Sequence, residues 1–233
     1  IIQKCHQNNI RNLIFIGSSC IYPKKAKQPI KEEYLLSGKL ESTNEAYALA
    51  KICGIKYCNY LNKQFGRTYF SVMPCNLYGP GDNYHPENSH VLPSLIKRFN
   101  DAIIKKERNV KCWGTGTPLR EFLHVDDLGD AVVFCLENWQ PNSENSPKDL
   151  SGNALNHLNV GTGKDISIKQ LAYKISELCE YKGNIIWDKT KPDGTPKKQL
   201  DISKIVKLGW FPKISLDEGI RETVEIYKNK ISK

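Results

Sequence analysis

The sequence lacks several features that would by themselves define a class of protein. It has no Cys-x-x-Cys pair and no zinc-type spacing between its eight cysteines and five histidines. It also has no signal peptide, no internal repeat and no apolar run near the roughly 18 residues of a membrane span. These absences exclude a disulfide or zinc framework and a membrane-spanning chain, and they favour a reducing, cytoplasmic setting with no metal.

Methionine is also nearly missing, since Met73 is the only one. The chain opens on Ile1 within I-I-Q-K-C, a pattern typical of the last turns of an amphipathic helix. We therefore expect the fold to include sequence that precedes residue 1.

The composition is that of a globular protein with a basic surface. Hydrophobic residues make up 39% of the 233 residues, enough to bury a sizeable core in one large domain or two small ones. Lysine and arginine total 34 against 25 aspartate and glutamate, a formal charge of +9 that favours polyanionic partners such as nucleotides, nucleic acid or acidic lipid headgroups. The excess is mostly scattered lysine, so it discriminates little among these partners.

Strands and helices alternate along the first third of the chain. Residues 12–17 (NLIFIG) form an apolar run ended by glycine, which is typical of a strand buried on both faces of a parallel sheet, and 68–73 (TYFSVM) read as the next strand. Between them a long helix is predicted to begin at Ser42, with Glu45 at capping-box spacing, and to end at Gly66. The alternation predicts a doubly wound α/β sheet.

The rest of the chain continues this alternation after a turn-rich segment, 78–89. Strands are predicted near VKCW and at 155–160 and 184–188. Five helices are predicted: one from about Pro93 to Lys106 with the proline in the first position, one from about Asp126, one from Ser167 to Glu180, and two closing helices, the last capped by Ser215 and Glu218. Residues 140–154 are the one low-complexity stretch and are predicted to be a solvated loop.

Tyr47 and Lys51 are the first candidates for chemistry, because a four-residue step places them on one helix face. A neighbouring ammonium stabilises the phenolate and lowers the pKa of a tyrosine from about 10 toward neutrality. Ser18 follows the first strand, at the sheet edge where open α/β folds bind ligands. A turn role for Ser18 and a core role for Tyr47 are the structural alternatives, but the combination is that of the short-chain dehydrogenases.

The chain resembles the GDP-L-fucose synthase family, a branch of the extended short-chain dehydrogenases, in six segments: GSSCIYP, NEAYALAK, PCNLYGPGDN, NSHVLP, WGTGTPLREFLHVDD and KPDGTPKK. The resemblance spans residues 15 to 200. It implies an α/β fold with a partial Rossmann-type doubly wound parallel sheet and a smaller C-terminal α/β substrate-binding subdomain. On this basis residues 1–90 are expected to be the C-terminal portion of the NADP-binding domain. Residues 91–233 are expected to form mainly the nucleotide-sugar-binding subdomain, with some segments returning to the Rossmann sheet.

The resemblance also implies the reaction, an NADPH-dependent 3,5-epimerisation and 4-reduction of GDP-4-keto-6-deoxy-D-mannose by a homodimer. Cys20 as thiolate and His90 as acid match the family's epimerising pair, each worth roughly 10²- to 10⁴-fold through positioned proton transfer. Ser18 and Tyr47 would polarise the C4 carbonyl, and Lys51 would also hold the nicotinamide ribose. The structural alternatives are a small buried residue for Cys20 and a helix-capping loop residue for His90.

Two further sets of residues are carried over from the family. The set expected to contact the cofactor is Ile16, Gly17, Ser18, Ser19, Lys51, Pro74, Cys75, Asn76, Leu77 and His90. The set expected to bind the nucleotide sugar is Arg98, Trp113, Arg120, Asp193 and Lys198. Cys75 departs mildly from the family, where a small hydroxylated residue would be familiar, and a backbone contact would tolerate the change.

One family motif is absent, the glycine-rich G-x-x-G-x-x-G turn that should follow the first strand. Residues 160–163 (VGTG) do not replace it, because they have two glycines and no acidic residue at the required distance. We therefore expect the chain as given to bind NADPH poorly.

Two other functions remain open at the level of the sequence. The first is another extended dehydrogenase acting on a nucleotide sugar, such as a UDP-hexose 4-epimerase, which would not need the pair Cys20 and His90. The second is a non-catalytic binding module, with RNA as one possible partner of the basic surface. The sequence shows no RNA-reading motif and no interleaving of aromatic and basic residues.

Overall fold

A computed structural model describes residues 1–141 and 143–231. In chain order the first eight regular elements are α1 (Ile2–Gln7), β1 (Asn12–Ile16), α2 (Glu45–Phe65), β2 (Thr68–Pro74), β3 (Asn76–Tyr78), α3 (Val91–Ile104), β4 (Asn109–Trp113) and β5 (Leu119–His124). The remaining eight are α4 (Val125–Asn138), β6 (His157–Val160), β7 (Asp165–Ser167), α5 (Ile168–Leu178), β8 (Asn184–Asp188), β9 (Lys197–Lys198), α6 (Ser203–Leu208) and α7 (Leu216–Ile231).

The chain divides into two compact units, each assembled from three separate segments. The first unit comprises Ile1–Asn76, Asp127–Gly163 and Gln199–Pro212, and the second comprises Leu77–Asp126, Lys164–Lys198 and Lys213–Lys233. The functional domains expected at 1–90 and 91–233 stay a prediction.

The first unit contains a three-stranded parallel sheet in the order β1-β2-β6, with α2 packed on it. The central strand β2 is buried along nearly all of its length. The expectation that residues 12–17 are buried on both faces is wrong, because β1 is half-exposed and its ends at Asn12 and Ile16 are exposed. Within the described residues β1 pairs with a strand on one edge only, which explains the difference.

The start of α2 also differs from the prediction. Residues Ser42–Asn44 form a short 3₁₀ turn, α2 begins at Glu45, and the Ser42 hydroxyl contacts the Glu41 carboxylate instead of capping the helix. The end is as predicted, since Gly66 adopts the left-handed conformation (φ 63°) that terminates a helix.

The second unit combines two small sheets with a helical layer. β5 pairs with β7 and β9 and neighbours β3, whereas β4 and β8 form a separate parallel pair. The apolar core of this unit joins α3, α5 and α7 around Phe99, Leu171 and Ile220. No helix in the described ranges is both long enough and apolar enough to cross a membrane.

The helix starts of the second unit are partly as predicted. Capping boxes form at Ser167 with Gln170 and at Ser215 with Glu218. α3 begins at Val91, so Pro93 occupies the third position of the helix rather than the first. The arrangement of parallel strands and covering helices confirms the predicted Rossmann-type α/β fold class.

Candidate active site

The carboxyl end of β1 leads directly into a short turn that carries two predicted catalytic residues. Ser18 caps the 3₁₀ turn Ser19–Ile21, with extended backbone (φ −167°, ψ 149°), and its Oγ accepts a hydrogen bond from the Cys20 N–H at 3.2 Å. Because Oγ is the acceptor in that bond, the hydroxyl proton stays available for another acceptor. Ser18 and Cys20 are half-buried, so both side chains can be reached from solvent.

α2 presents Tyr47 and Lys51 beside this strand end, as their spacing predicted. The Lys51 ammonium donates to the Ile16 carbonyl at 2.8 Å and lies 5.6 Å from the centre of the Tyr47 ring. The Tyr47 side chain is 49% exposed, which excludes the alternative of a core tyrosine. The first unit therefore brings a serine, a tyrosine and a lysine to the carboxyl edge of a parallel sheet, where open α/β folds bind ligands.

The remaining cofactor-side residues of the first unit line two neighbouring strand ends. Gly17 is buried and donates its N–H to the Val72 carbonyl, and Ser19 is 4% exposed. Pro74 ends β2, and the Cys75 N–H donates to the Val160 carbonyl at 3.0 Å. The Ile16 side chain is 36% exposed, and its carbonyl accepts the hydrogen bond from the Lys51 ammonium.

His90, Asn76 and Leu77 complete the predicted cofactor and catalytic set. Asn76 begins β3, and Leu77 is the first residue of the second unit. His90 also lies in the second unit, where it is exposed and precedes the first residue of α3 without a side-chain cap bond. Burial raises the pKa of Asp82, partly offset by the Asn83 N–H and by the charge of His90. The pairing of Cys20 with His90 stays a prediction.

Arg98 and Trp113 meet within the second unit. The guanidinium carbon of Arg98 lies 5.2 Å from the centre of the Trp113 ring, and its Nη1 donates to the Lys111 carbonyl at 3.0 Å. Trp113 is 57% exposed. Both residues line a cavity of about 220 Å³, whose other walls are Pro86, Glu87, Ser89, Val91, Ser94, Leu95, Cys112, Ile168 and Trp187. A cation stacked on an exposed indole is a suitable surface for a flat, electron-rich ring and a nearby phosphate.

Arg120, Asp193 and Lys198 form a second group in the same unit. Arg120 and Lys198 are register partners of β5 and β9, and the Arg120 Nη1 donates to the carbonyls of Leu119 and Thr195. Burial lowers the pKa of Arg120, an effect that Asp193 partly offsets. Two adjacent cations on paired strands suit a diphosphate.

Asp193 has a partner that the sequence did not predict. Its carboxylate accepts hydrogen bonds from the Thr115 N–H at 2.9 Å and the Thr115 hydroxyl at 2.6 Å. These bonds are the main reason that the pKa of Asp193 lies below its ordinary value. Asp193 therefore fastens its own Pro-Asp-Gly turn to the segment that connects β4 to β5, the strand that carries Arg120.

Trp187 and Glu87 line the 220 Å³ cavity and were missed by the sequence analysis. The indole Nε1 of Trp187 is buried and has no hydrogen-bond partner in the part of the chain that the structure describes. The sequence did contain a signal, since the predicted strands NVKCW and NIIWD each carry a tryptophan near their end. In the structure these strands pair in parallel with Cys112 opposite Trp187, and the pairing brings both tryptophans to one end of the pair. Burial also raises the pKa of the Cys112 thiol to about 11, so this cavity residue stays neutral.

A buried histidine between two carboxylates lies near the carboxyl end of β5. Atoms of His124, Asp126 and Glu222 fall within 4.8 Å of one another, a spacing compatible with a metal ion. However, Nδ1 of His124 accepts the Asp126 N–H at 3.3 Å, so the proton of the neutral ring sits on Nε2, 3.6 Å from the Glu222 carboxylate. The protonated Nε2 makes a metal ligand unfavourable in this arrangement.

The first unit has a larger cavity, of about 590 Å³, on the side of α2 that carries Lys56. Its amide side chains satisfy one another: Asn156 donates to Asn59, and Asn62 donates to Asn156, each at 3.2 Å. Because these side-chain amides already bond to one another, they are not available to bind a ligand in the cavity.

The chain is similar to known proteins along nearly its whole length. A family model described as the NAD dependent epimerase/dehydratase family matches residues 1–151. A protein named GDP-L-fucose synthase from Escherichia coli (strain K12) is 50% identical over 229 residues, and one named Probable GDP-L-fucose synthase 1 from Oryza sativa subsp. japonica is 51% identical over 228 residues. The alignments cover 97% and 98% of this chain but 69% and 65% of those proteins, so the chain spans about two thirds of their length.

A solved structure agrees with these sequence matches. The GDP-L-fucose synthetase from Naegleria fowleri bound to NADP superposes with a TM-score of 0.86 at 28% identity, covering 100% of this chain and 70% of that one. The resemblance drawn from the six sequence segments is thus confirmed. The chain belongs to the NAD dependent epimerase/dehydratase family and, within it, to the GDP-L-fucose synthases.

Proposed function

We propose that this chain carries the catalytic residues of an NADPH-dependent enzyme that converts GDP-4-keto-6-deoxy-D-mannose to GDP-L-fucose by 3,5-epimerisation and 4-reduction. The observation that carries the proposal is the set Ser18, Tyr47 and Lys51 at the carboxyl edge of the parallel sheet, with Lys51 fastened to the Ile16 carbonyl. Relatives about 50% identical to the chain are named for this activity.

The C4 ketone makes the epimerisation possible, because it acidifies the hydrogens on C3 and C5. In the proposed reaction the Cys20 thiolate removes a proton from one face of each carbon, and His90 returns a proton to the opposite face. Ser18 donates its free hydroxyl proton to the C4 oxygen and so stabilises the enolate between the two steps. Each proton removed is replaced, and the double bond of the enolate returns to the ketone.

Reduction then acts on the same carbonyl. NADPH, when bound, supplies the hydride to C4, and Tyr47 gives its phenolic proton to the C4 oxygen. The Lys51 ammonium, 5.6 Å from the centre of the Tyr47 ring, stabilises the phenolate that remains. Lys51, together with the strand-end residues from Ile16 to Ser19 and from Pro74 to Leu77, would contact the riboside, as the family resemblance implies.

The nucleotide part of the substrate is proposed to bind in the second unit. Arg98 and Trp113 would hold the nucleoside at the 220 Å³ cavity, and Arg120 with Lys198 would hold the diphosphate. Asp193 would hold the segment before β5 through its hydrogen bonds to Thr115. All eight cysteines are thiols rather than disulfides, which supports a reducing compartment such as the cytoplasm.

The assembly is proposed to be a homodimer formed through α2. Leu49, Tyr57 and Tyr60 share one face of this helix and are 47%, 40% and 61% exposed. A continuous apolar stripe of this kind is typical of an interaction surface.

The proposed epimerisation can be tested without hydride transfer. The chain is incubated with GDP-4-keto-6-deoxy-D-mannose in D₂O, with and without NADPH, and deuterium at C3 and C5 is followed by NMR. We expect exchange at both carbons, and Cys20→Ser or His90→Asn should reduce it by at least about 10²-fold, while reduction of an already epimerised substrate is spared.

Cys53→Ser is the matched control, since Cys53 is an exposed free thiol further along α2. It should leave the exchange unchanged. Full exchange in both Cys20→Ser and His90→Asn would overturn the assignment and favour a 4-epimerase that retains its cofactor and needs neither residue.

A further inference from the structure

The 3₁₀ turn that carries Cys20 ends at a tyrosine whose hydroxyl is bonded inside the first unit. We propose that Tyr22 is a positioning residue for the reaction: its phenol, held by Asn159 of β6, fixes the turn and with it the place of the Cys20 thiol. The inference deepens the proposed function and rests on it, because Cys20 is the base in that reaction. Tyr22 acts through the turn and does not itself contact the substrate.

The hydrogen bond between Tyr22 and Asn159 is short and shielded from solvent. The Tyr22 hydroxyl donates to Oδ1 of Asn159 at 2.6 Å, and the two residues are 3% and 0% exposed. Burial raises the pKa of Tyr22 well above its ordinary value, and the carboxylates of Glu32 and Glu33 add to that effect. The phenol therefore keeps its proton near neutral pH and remains a hydrogen-bond donor.

The Asn159 amide is fixed in the orientation that this bond requires. Its Nδ2 donates to the Ile30 carbonyl at 2.9 Å and to the Asp201 carbonyl at 3.1 Å. Its backbone N–H donates to the Glu32 carboxylate at 3.0 Å. A rotated amide would turn Oδ1 toward two carbonyl oxygens, which are acceptors as well. Only the observed orientation satisfies all these groups, and it leaves Oδ1 facing Tyr22.

The backbone between Tyr22 and Cys20 has little freedom of its own. Tyr22 is extended (φ −80°, ψ 151°) and precedes Pro23, which disfavours helical backbone at that position. The Tyr22 N–H donates to the Ser19 carbonyl at 3.4 Å, and Ile21 between them is fully buried. A displacement of the Tyr22 ring would therefore move the turn as well.

Ser18 and Cys20 share this support. The Ser18 Oγ accepts the Cys20 N–H at 3.2 Å, so the hydroxyl proposed to polarise the C4 carbonyl and the proposed base lie on one hydrogen-bonded turn. Catalysis by a positioned group is sensitive to small displacements, since about 1 Å can cost about 10²-fold in rate. Loss of the Tyr22 anchor should therefore slow epimerisation without removing any catalytic group.

Tyr22→Phe tests the proposal, because it keeps the ring and removes the hydroxyl. In D₂O, the kcat for deuterium exchange at C3 and C5 of GDP-4-keto-6-deoxy-D-mannose should fall about 10- to 30-fold. The KM should change less than about 2-fold, because Tyr22 does not contact the substrate.

A second readout follows the Cys20 thiol without any substrate. Alkylation of Cys20 by iodoacetamide, mapped by peptide mass spectrometry, should become at least about 3-fold faster in Tyr22→Phe, because the loosened turn exposes a half-buried thiol. Cys53, an exposed thiol of α2, is the internal reference and should react at its wild-type rate.

Tyr69→Phe is the matched control. Tyr69 is also buried in the first unit, near the opposite end of β2 from the catalytic edge, and its hydroxyl donates to the Ile10 carbonyl at 2.8 Å. Each variant loses one tyrosine hydroxyl bond, so both should lower the urea midpoint of unfolding. Only Tyr22→Phe should change the exchange rate and the alkylation of Cys20. Circular dichroism verifies that both variants are folded.

The inference requires both changes in Tyr22→Phe. A wild-type exchange rate or a wild-type alkylation rate at Cys20 in this variant would overturn it and leave Tyr22 as a core residue. An equal fall of exchange in Tyr69→Phe would also overturn it, because general loss of stability would then explain the effect. If the wild type itself shows no exchange, the proposed reaction fails, and the alkylation rate of Cys20 alone decides whether Tyr22 fixes the turn.

Discussion

His157 is half-buried and lies beside the fully buried Glu32 in the first unit. Its Nε2 contacts the Glu32 carbonyl at 3.1 Å, and the Glu32 carboxylate is 0% exposed and paired with Lys204 at 2.8 Å. Burial lowers the pKa of His157 from 6.5 to about 4, and Lys56 and Lys204 add to that effect. Near neutral pH the histidine is therefore uncharged in the folded state.

This depressed pKa predicts a loss of stability on mild acidification. Between about pH 6.5 and pH 4 the unfolded chain binds a proton at His157 that the folded chain refuses, so the free energy of unfolding falls as the pH falls. We expect His157 to account for about 1 to 2 kcal/mol of destabilisation between about pH 7 and about pH 5. Urea unfolding at the two pH values, followed by circular dichroism, measures it.

The comparison variant is His157→Gln, which cannot take up the proton. Burial raises the pKa of Glu32, so this carboxyl contributes a slope of opposite sign in both proteins, and the difference between wild type and variant isolates the histidine. Equal losses of stability in wild type and His157→Gln between the two pH values would contradict the assigned pKa.

The positions of candidate site residues could be predicted where a residue type suited to catalysis also occurs at a spacing or strand end that fixes its place. The four-residue step of Tyr47 and Lys51 places them together in the structure, and Ser18 follows the strand end as predicted. Trp187 was not predictable by itself, because the cavity that it lines is formed by residues from distant parts of the chain. Asp193 shows the same limit, since its bonds reach Thr115, a residue distant in sequence.

At the scale of single elements, two helix starts with the same sequence pattern differ in the structure, and the difference predicts unequal mutational effects. Ser167 accepts the Gln170 N–H at 3.1 Å, and the Gln170 side chain accepts the Ser167 N–H at 3.2 Å. Ser167→Ala should therefore lower the free energy of unfolding by about 1 kcal/mol. Ser42→Ala, at a position with the same spacing but no cap bond, should change it by less than about 0.5 kcal/mol.

Chemical denaturation of the two variants measures both values in one experiment. A cost at Ser42 equal to that at Ser167 would show that α2 begins with a capping box after all. The physical reason for the difference is local: residues Ser42–Asn44 turn in a 3₁₀ conformation, which directs the Ser42 hydroxyl to Glu41 rather than to the backbone three residues ahead. Strand and helix positions could thus be read from apolar periodicity, but cap geometry could not.

At the scale of the whole molecule, the division into units could not be read from the sequence as a single boundary. Each unit collects three segments, and the chain passes between units near residues 76, 126, 163, 198 and 212. None of these points is marked by a long polar linker, because the low-complexity stretch 140–154 lies inside the first unit. The α/β class was predictable because it follows from the local alternation of strands and helices. Which segments belong to which unit was not predictable, because it depends on long-range pairing such as that of β2 with β6.

The proposed dimer belongs to this scale as well, and it rests on the outward face of α2. Leu49, Tyr57 and Tyr60 lie on that face, and a stable interface requires burial of about 800 Å² on each partner, which two such helices with their flanking residues can supply. Aromatic residues are enriched in such interfaces because they bury a large area at low entropic cost.

Replacing both tyrosines of this stripe, Tyr57→Glu together with Tyr60→Glu, places like charges opposite one another across a two-fold axis and should convert a dimer into a monomer. Sedimentation velocity measures the change at micromolar protein concentration. Lys63→Glu, a charge reversal at an exposed position further along the same helix, is the control and should leave the dimer intact. A wild type that sediments as a monomer, or a double variant that remains dimeric while folded by circular dichroism, would show that α2 is not the interface.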